Sequence, residues 1–592
     1  MIKPAYELVL APSEVSRERA DRIVDWLRDY SQSRIDSRLM DERRCVPPHI
    51  VLDFARQGIF GMQIPEEFGG LALRHKDFLR VLEQLAAIDI SLASLVFIHN
   101  ANGIRPILGF APPETRERLL RDIASGRQLA SFALTEPAAG SNLPSLESRA
   151  EPDGQGNWRL HGVKRWNASG WAGIVTVFAR QADEKGRLRH PTAFVVEQGM
   201  PGLRVGPESL TMGVRSIMQN AIIFDGVEVG PERVLGKAGE GMEIADEALL
   251  IARLCMGAIS LGGMKRCAQI MHRYATRRQV STGKLIDTPT MLVTFSDLTN
   301  KITALQTLMD ALSAILDEGD YPADEACMVV KIFGSNAIWE AADTLVETLG
   351  GRGYMENNGA AQIMRDCRML RIGEGANDLM TLSVGRRVLH SAALRELLCE
   401  RLGVPHLDEL MRETAEKISQ RCLGHDTPFR DRGTAVAWAQ TLAGRVAVRV
   451  IILAALEAAL RGHDAAPATL RRARDWAAHE LEAQRSRAVD GDLSEDLATG
   501  AGELADLVES YVDAIGDLEQ APPGAEEAVD PLLRRQPADY GFAPYRHLPG
   551  SAEGTTAATQ ALPRAAERRA KEDVRGVKDA ACLPLVEQGV IS

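Results

Sequence analysis

Apolar residues recur every three to four positions through most of this chain, and where that period changes the chain divides into zones. Ile23, Trp26 and Leu27 fall on one face of an amphipathic stretch from Arg17 to Tyr30. Pro47-Pro48 starts a second helical stretch, which carries Phe54 and Ala55 and stops at Gly58. Lys76 to Ala87 and Ala93 to Leu108 read as two more helices. The period then shortens. Trp158 to Leu160, Ile174 to Arg180, Ala193 to Glu197 and Ala221 to Phe224 are short runs rich in Val, Ile and Phe, punctuated by Gly, Pro and Asp. That is the pattern of an antiparallel β domain. Long helices return with Ala248 to Ala275, apolar nearly all round and so expected to be buried. Leu292 to Glu318 and Asp324 to Leu349 follow as amphipathic helices, Gly350-Gly-Arg-Gly-Tyr354 breaks the pattern, and Asp378 to Leu397 closes it. Thr434 to Leu460 and Thr469 to Ala488 dominate the remainder, and Pro522 to Leu562 reads as linker or surface coil.

These zones predict a fold that is mainly α with a central antiparallel β domain. The expected domains are an N-terminal helical domain over 1–127, a middle β domain over 128–240, a helical bundle over 241–398 and a C-terminal helical extension over 399–592.

Composition narrows the function classes. A chain of 592 residues that is 45% apolar and 25% charged is an ordinary globular protein with ample core. A net charge of −12 argues against a nucleic-acid partner, because a phosphate backbone needs a basic face. The eight cysteines lack metal-ligand spacing, so no metal site is expected and a reduced cytoplasm is the simplest location. The first residues, MIKPAYELVL, carry no long apolar core, so no signal peptide is expected. Val446 to Leu460 is the most apolar helical run, but Arg449 and Glu457 interrupt it and it is too short to span a bilayer. No clearly basic amphipathic helix points to a membrane surface, and peripheral contact stays open.

Six motifs then carry more specific chemistry. Phe132-Ala-Leu-Thr-Glu-Pro-Ala-Ala-Gly-Ser-Asn142 opens the β zone with small residues that let a backbone approach a flat ligand. Composition alone favours a tight turn there. The stretch resembles the TEPxAGS signature of the acyl-CoA dehydrogenase family. Ile64-Pro-Glu-Glu-Phe-Gly-Gly70 resembles that family's N-terminal turn, and Gly162-Val-Lys-Arg-Trp166 its second flavin strand. Tyr274-Ala-Thr-Arg-Arg278 with Gly283-Lys284 resembles its arginine turn, and Glu347-Thr-Leu-Gly-Gly-Arg-Gly-Tyr354 its QxxGGxGY loop. Met364-Arg-Asp-Cys-Arg-Met-Leu-Arg-Ile-Gly-Glu-Gly-Ala-Asn377 resembles its RDxR…EGTN segment. Each motif is weak alone; in this order, over about residues 10–395, they are specific as a set.

The resemblance implies a helical domain, a β-barrel-like middle domain and a four-helix bundle, with FAD held between the last two. It implies that Phe132, Leu134, Thr135, Ser141, Trp166, Ala168, Ser169, Ala376 and Asp378 contact the cofactor, and that Arg278, Glu347, Gly350 and Gly351 hold its dinucleotide end across a homodimer. Ser141, Arg253 and Gly375 would face the substrate, an acyl-CoA or an acyl group on a carrier protein. The resemblance also implies that Glu374 removes the α-proton and that an electron-transferring flavoprotein accepts the electrons. Spacing alone reads Glu374 as an acid favouring a helix N-terminus; the surrounding motifs reverse that reading. Some family members carry the base on the long buried helix, at the position of Ala252, where a methyl group can abstract nothing.

The chain also departs from the family pattern. The hydroxyl residue that meets flavin N5 is either replaced by Ala168 or supplied by Ser169. The arginine turn is one residue longer and lacks its aromatic residue, its downstream glutamine position is Thr290, and Glu347 stands where a glutamine is usual. Gly373 stands where a tyrosine is usual, which should widen the acyl site. His99 reads as a satisfied core histidine, Glu136 as a structural hydrogen-bonding group, Met256, Met264, Met309 and Met328 as core filler, and Arg471, Arg472 and Arg474 as a solvated face. The extension resembles, more weakly, that of very-long-chain acyl-CoA dehydrogenases, chiefly over Thr434 to Leu460. An oxidase using oxygen and a non-catalytic flavoprotein on the same fold remain as competing readings.

Overall fold

Each element begins and ends where its sequence supplies a cap or a breaker. The N-terminal part runs through α1 (Ser13–Arg34), α2 (Ser37–Arg43), α3 (Pro48–Arg56), α4 (His75–Ile88), α5 (Ile90–Phe97), α6 (Ile104–Phe110) and α7 (Pro113–Ala124). Asp36 and Asp89 cap α2 and α5 through their side chains, Pro48 and Pro113 occupy first helical positions, and Gly58 follows α3 at φ 73°. The computed structural model describes residues 4, 6 and 8–516, apart from 138, 172, 183–187, 425–426, 428, 430, 463–465 and 492–500. The Pro522 to Leu562 coil and Cys582 lie outside the described residues.

The single helix expected over Ala93 to Leu108 is interrupted. A π-helical turn, Ile98–Gly103, joins α5 to α6. The reason lies in its polar side chains. His99 Nδ1 accepts the Ala130 amide at 2.9 Å, so Nε2 carries the proton and donates to the Phe60 carbonyl at 2.9 Å. Asn100 donates to the Ile59 carbonyl at 3.0 Å and accepts the Met62 amide at 3.2 Å. Burial lowers the His99 pKa to about 4, so the ring stays neutral, as a satisfied core histidine does. A Cβ on Gly103 would lie 2.6 Å from the Ala130 backbone, so only glycine lets this turn rest on the sheet.

The β part consists of β1 (Leu129–Ala133), β2 (Arg149–Pro152), β3 (Trp158–Ala168), β4 (Gly173–Ala182), β5 (Leu188–Glu197), β6 (Leu203–Glu208), β7 (Gln219–Val229) and β8 (Val234–Leu235). The order is β6-β7-β3-β2-β4-β5-β8, with β1 beside β4. The sheet is mixed rather than wholly antiparallel: β4 pairs in parallel with both β1 and β2. The chain leaves β1 along the sheet and returns to β4 only after β2 and β3, and such a crossover makes parallel neighbours. A bulge in β3 sets Lys164 opposite Ile222 but Asn167 opposite Asn220, so three steps on one strand match two on the other.

The helical part holds α8 (Gly241–Ala275), α9 (Pro289–Asp317), α10 (Asp324–Leu349), α11 (Gly359–Arg368), α12 (Asn377–Arg387) and α13 (Ala392–Glu396), with a two-stranded ribbon of β9 (Gln279–Val280) and β10 (Gly283–Lys284) between α8 and α9. Asp378 to Leu397 is therefore two helices, separated by a turn whose Ser391 caps α13. Met256, Met264, Met309 and Met328 are all buried, as core filler should be. The extension adds α14 (Pro405–Leu423), α15 (Arg432–Arg461) and α16 (Ala468–Asp490). Val446 to Leu456 of α15 is buried without a break apart from Arg449, so the extension shares the core of the bundle. The first compact unit ends at Ala501 and the second begins at Gly502, the second residue of α17 (Ala501–Ser510), which α18 (Val512–Ile515) follows. No helix among the described residues is long and apolar enough to cross a membrane.

The seam between α12 and α15 is set by two glycines. A Cβ on Gly385 would fall 1.7 Å from the Gln440 carbonyl oxygen, and one on Gly444 1.9 Å from the Thr381 carbonyl oxygen. Both obstacles are backbone, which has no rotamer to change. Gly444→Ala is expected to destabilise the chain by about 1–3 kcal/mol in chemical denaturation. Gly359→Ala, whose Cβ would meet nothing within 4 Å, is the control and should stay within about 0.5 kcal/mol of the parent.

Candidate functional site

Glu374 lies between a 3₁₀ turn, Met369–Arg371, and the start of α12. Its φ is 56°, and Gly375 follows at 106°. A left-handed conformation costs a non-glycine residue roughly 1–2 kcal/mol, so something must hold it. Two side chains do. Asn102, from the π-helical turn, donates its Nδ2 hydrogen to Glu374 Oε1 at 2.9 Å. Lys331, fully buried on α10, donates from Nζ to the Gly375 carbonyl and, at 2.8 Å, to Asn377 Oδ1. Asn377 in turn donates to Ser335 Oγ and Asn336 Oδ1, both at 2.9 Å.

Glu374 keeps some solvent exposure, yet its carboxyl is enclosed enough that burial raises its pKa above the ordinary value. The Asn102 hydrogen bond and the charges of Arg253 and Lys331 act in the opposite direction, and burial outweighs them. Arg253 itself is committed to Asp324, at 2.5 Å, and Arg387 holds the other oxygen of that carboxylate at 2.7 Å. Burial pulls Lys331 down to about 7, against the Glu374 charge that favours its ammonium. The Glu374 amide has no hydrogen-bond partner among the described residues, and the Asn102 Oδ1 atom is buried without one. The space beside Gly373 is partly refilled, since a Cβ there would lie 3.0 Å from Met369 Sδ and 3.6 Å from Met256 Cε.

A second group of the expected residues gathers at one end of β1 and β3. Phe132 packs its ring on Phe178, with centroids 4.9 Å apart. The Leu134 carbonyl accepts Lys164 Nζ at 3.0 Å, and the Thr135 carbonyl accepts the Arg165 amide at 2.9 Å. Lys164 also reaches Glu136, which accepts the Glu147 and Ser148 amides and so serves the hydrogen-bonding role expected of it. The β3 bulge turns Trp166 outward at φ 57°, 49% exposed, with the Arg165 guanidinium 4.7 Å from its ring centroid. Ala168 and Ser169 are both buried. The Ala168 carbonyl accepts Ser131 Oγ at 2.7 Å, and Ser169, at φ 59°, donates its amide to the Met218 carbonyl. Ser141 is exposed in the loop after β1.

The β6–β7 connection ties this end of the sheet to the Glu374 segment. Four residues before Met218, the Val214 amide donates to Asp366 Oδ1 at 2.6 Å. A Cβ on Gly213 would fall 2.1 Å from the Arg365 carbonyl oxygen, so the strand loop lies directly on α11. Burial, with help from the Asp89 and Asp41 charges, pushes the Asp366 pKa up to about 8. Ala376 takes the N-cap position of α12, and Asp378 is exposed in its first turn.

Arg278, Glu347, Gly350 and Gly351 are brought together elsewhere. All four are exposed at or beyond the C-terminal ends of α8 and α10, two helices joined there by Thr348 Oγ1 and Met271. From Arg253 to Ala275 and from Lys331 to Leu349 the helices run on for roughly 27–33 Å, so within one chain these four residues do not approach Glu374. Asn102 and Lys331 escaped the sequence reading. The signal for Lys331 was a lone cation inside Met328-Val-Val-Lys-Ile-Phe333, and that for Asn102 a further amide on an otherwise apolar helical stretch.

Comparison with known proteins accords with this geometry. Family models match three successive parts of the chain: acyl-CoA dehydrogenase N-terminal domain over residues 17–127, middle domain over 131–227 and C-terminal domain over 239–389. The mitochondrial very long-chain specific acyl-CoA dehydrogenase of Macaca fascicularis is 34% identical over 337 residues, 55% of this chain and 51% of that protein. The probable acyl-CoA dehydrogenase FadE10 of Mycobacterium tuberculosis is 30% identical over 395 residues, 64% of this chain and 60% of that protein. An acyl-CoA dehydrogenase from Bacillus anthracis, solved in complex with FAD, shares the fold over 87% of this chain and 96% of that chain, with a TM-score of 0.68 at 21% identity. The chain spans about half the length of the first curated relatives it matches. Helical lobe, bulged mixed sheet and helical bundle follow one another as the three matched parts do, and the chain belongs to the acyl-CoA dehydrogenase family.

Proposed function

We propose that this protein is an FAD-dependent acyl-thioester dehydrogenase in which Glu374 takes the α-proton of the substrate. The observation that carries the proposal is the carboxylate itself. It is held off the helix axis in a left-handed turn, its pKa is raised by burial, and it is aimed by one amide donor. A carboxylate in water is too weak a base for a proton beside a thioester; burial brings it closer to the working range.

The residues present fit a flat cofactor. Trp166 offers an outward-turned indole with one face already occupied by Arg165, whose amide is bonded to the Thr135 carbonyl. In this reading Phe132, Leu134, Thr135, Ser141, Trp166, Ala168, Ser169, Ala376 and Asp378 hold the flavin. When bound, FAD would supply the acceptor for the β-hydrogen and its electron pair, which no side chain can provide. Glu374 takes the proton from Cα, and its unpartnered amide meets the charge that develops on the thioester oxygen. Asn102 fixes Oε1 so that the proton passes in a defined direction. Arg253, bound to Asp324, acts through its charge, while Ser141 and Gly375 border the thioester.

The long separation of Arg278, Glu347, Gly350 and Gly351 from Glu374 supports a homodimer, in which those residues hold the dinucleotide end of the partner's FAD. An electron-transferring flavoprotein is the acceptor this reading expects.

Three outcomes test it. Purified protein should be yellow, and anaerobic addition of butyryl-, octanoyl- or palmitoyl-CoA should bleach it; a colourless protein, or a flavin that no thioester bleaches, would sink the reading. Glu374→Gln should retain the flavin spectrum but slow bleaching by about 10²–10⁴-fold in stopped-flow absorbance. Asn102→Ala removes a hydrogen bond to the charged form of the base, so the Glu374 pKa should rise further. Catalysis needs that base deprotonated, so the acid limb of the kcat/KM–pH profile should move to higher pH. An unmoved limb would remove Asn102 from the site.

A further inference from the structure

Lys331 has no part in the chemistry described so far, yet it is the most enclosed cation next to the base. It sits in the first third of α10 with no solvent exposure. A buried ammonium gives up its hydration, and a neutral side chain could satisfy one carbonyl at far less cost. What surrounds Lys331 explains its presence. Its Nζ donates to the carbonyl of Gly375, the residue after Glu374, and to the side chain of Asn377, the first residue of α12. Those two bonds hold the chain at two points immediately after Glu374. The charged groups that act on it are Glu374 and Arg371 in the same segment and Arg253 on α8. Glu374 is the one anion among them. Facing the base itself are Asn102 from the π-helical turn, Arg253 and Lys331, with the buried Cys255 thiol of α8 nearby.

We propose that Lys331 is the positioning residue of the base: its ammonium clamps Gly375 and Asn377 so that Glu374 stays in its left-handed conformation, and it supplies the buried counter-charge that keeps the carboxylate ionised. The proposal rests on Glu374 being the base. Asn377 extends the clamp to Ser335 and Asn336 on the next turn of α10, so the base segment is fixed to the bundle.

Lys331→Met removes both the donor and the charge at similar length; Lys331→Gln keeps a donor without the charge. For the whole flavin-loaded protein with octanoyl-CoA, Lys331→Met should lower kcat by about 10–100-fold with little change in KM. The acid limb of its kcat–pH profile should move to higher pH, because the cation that favoured the charged base is gone. Lys331→Gln should recover part of kcat and keep the displaced limb, which a purely structural role would not produce. Independently of turnover, hydrogen exchange in a peptide covering residues 372–378 should accelerate in Lys331→Met and less so in Lys331→Gln. A folded Lys331→Met protein with parental kcat, limb and exchange overturns the proposal. If neither variant folds, Asn377→Ser, which withdraws one of the two oxygens holding the ammonium, carries the same test: a lowered kcat at constant KM supports the clamp and a parental kcat rejects it. Glu374→Gln run in parallel separates the two ideas. Retained turnover in that variant removes the base assignment, whereas lost turnover beside a parental Lys331→Met removes only the clamp.

Discussion

The site depends on a carboxylate being held in a backbone conformation that its residue type disfavours. Glu374 is neither in α12 nor capping it; Ala376 occupies the N-cap position, and the carboxylate bonds to an asparagine from another part of the fold. Had it turned toward the free amides of α12, the helix dipole would have stabilised its charge and made it a weaker base. The left-handed turn prevents this, and buried hydrogen bonds reach both the carboxylate and the chain that follows it.

The larger elements can be understood as support for that turn. α8 and α10 run side by side and bring the charges of Arg253 and Lys331 to bear on the same carboxylate. The loop between β6 and β7 lies flat on α11 because Gly213 has no side chain, and this contact sets the indole end of the sheet against the Glu374 segment. The extension is part of the same construction. α15 crosses α12 through a pair of glycines two to three turns beyond Glu374, so the helix that follows Glu374 is gripped from the outside as well.

Much of this was legible in the sequence, and the failures have physical causes. Asp324 to Leu349 was read with the boundaries the helix has, because acidic residues open it and Gly350 ends it. Four of the eight strands of the sheet, β3, β4, β5 and β7, were found, but not their directions: alternation reports which face is buried, not which neighbour a strand pairs with. Parallel pairing of β1 with β4 is a consequence of topology. The interruption at Ile98–Gly103 was missed since its cause, polar side chains bonding to residues 59–62 and 130, is a tertiary one. The motifs pointed to Glu374, Trp166 and the glycine loop. They did not point to Lys331 or Asn102, whose importance lies in what they touch. Gly373 illustrates the limit of arguing from a missing side chain, as Met369 moves into part of the space the sequence left open.

The widened turn at Ile98–Gly103 has a consequence for how this chain can change over time. An ordinary α-helix advances about 100° per residue, so dropping one residue here would rotate one flank against the other by that angle. His99 and Asn100 anchor the incoming flank to the first lobe, while Asn102 carries the outgoing one to Glu374. A regular helix could satisfy one set of bonds and not the other. Residue count in this stretch is therefore itself under constraint, and a one-codon deletion would be a more severe lesion than most replacements of the side chains it removes.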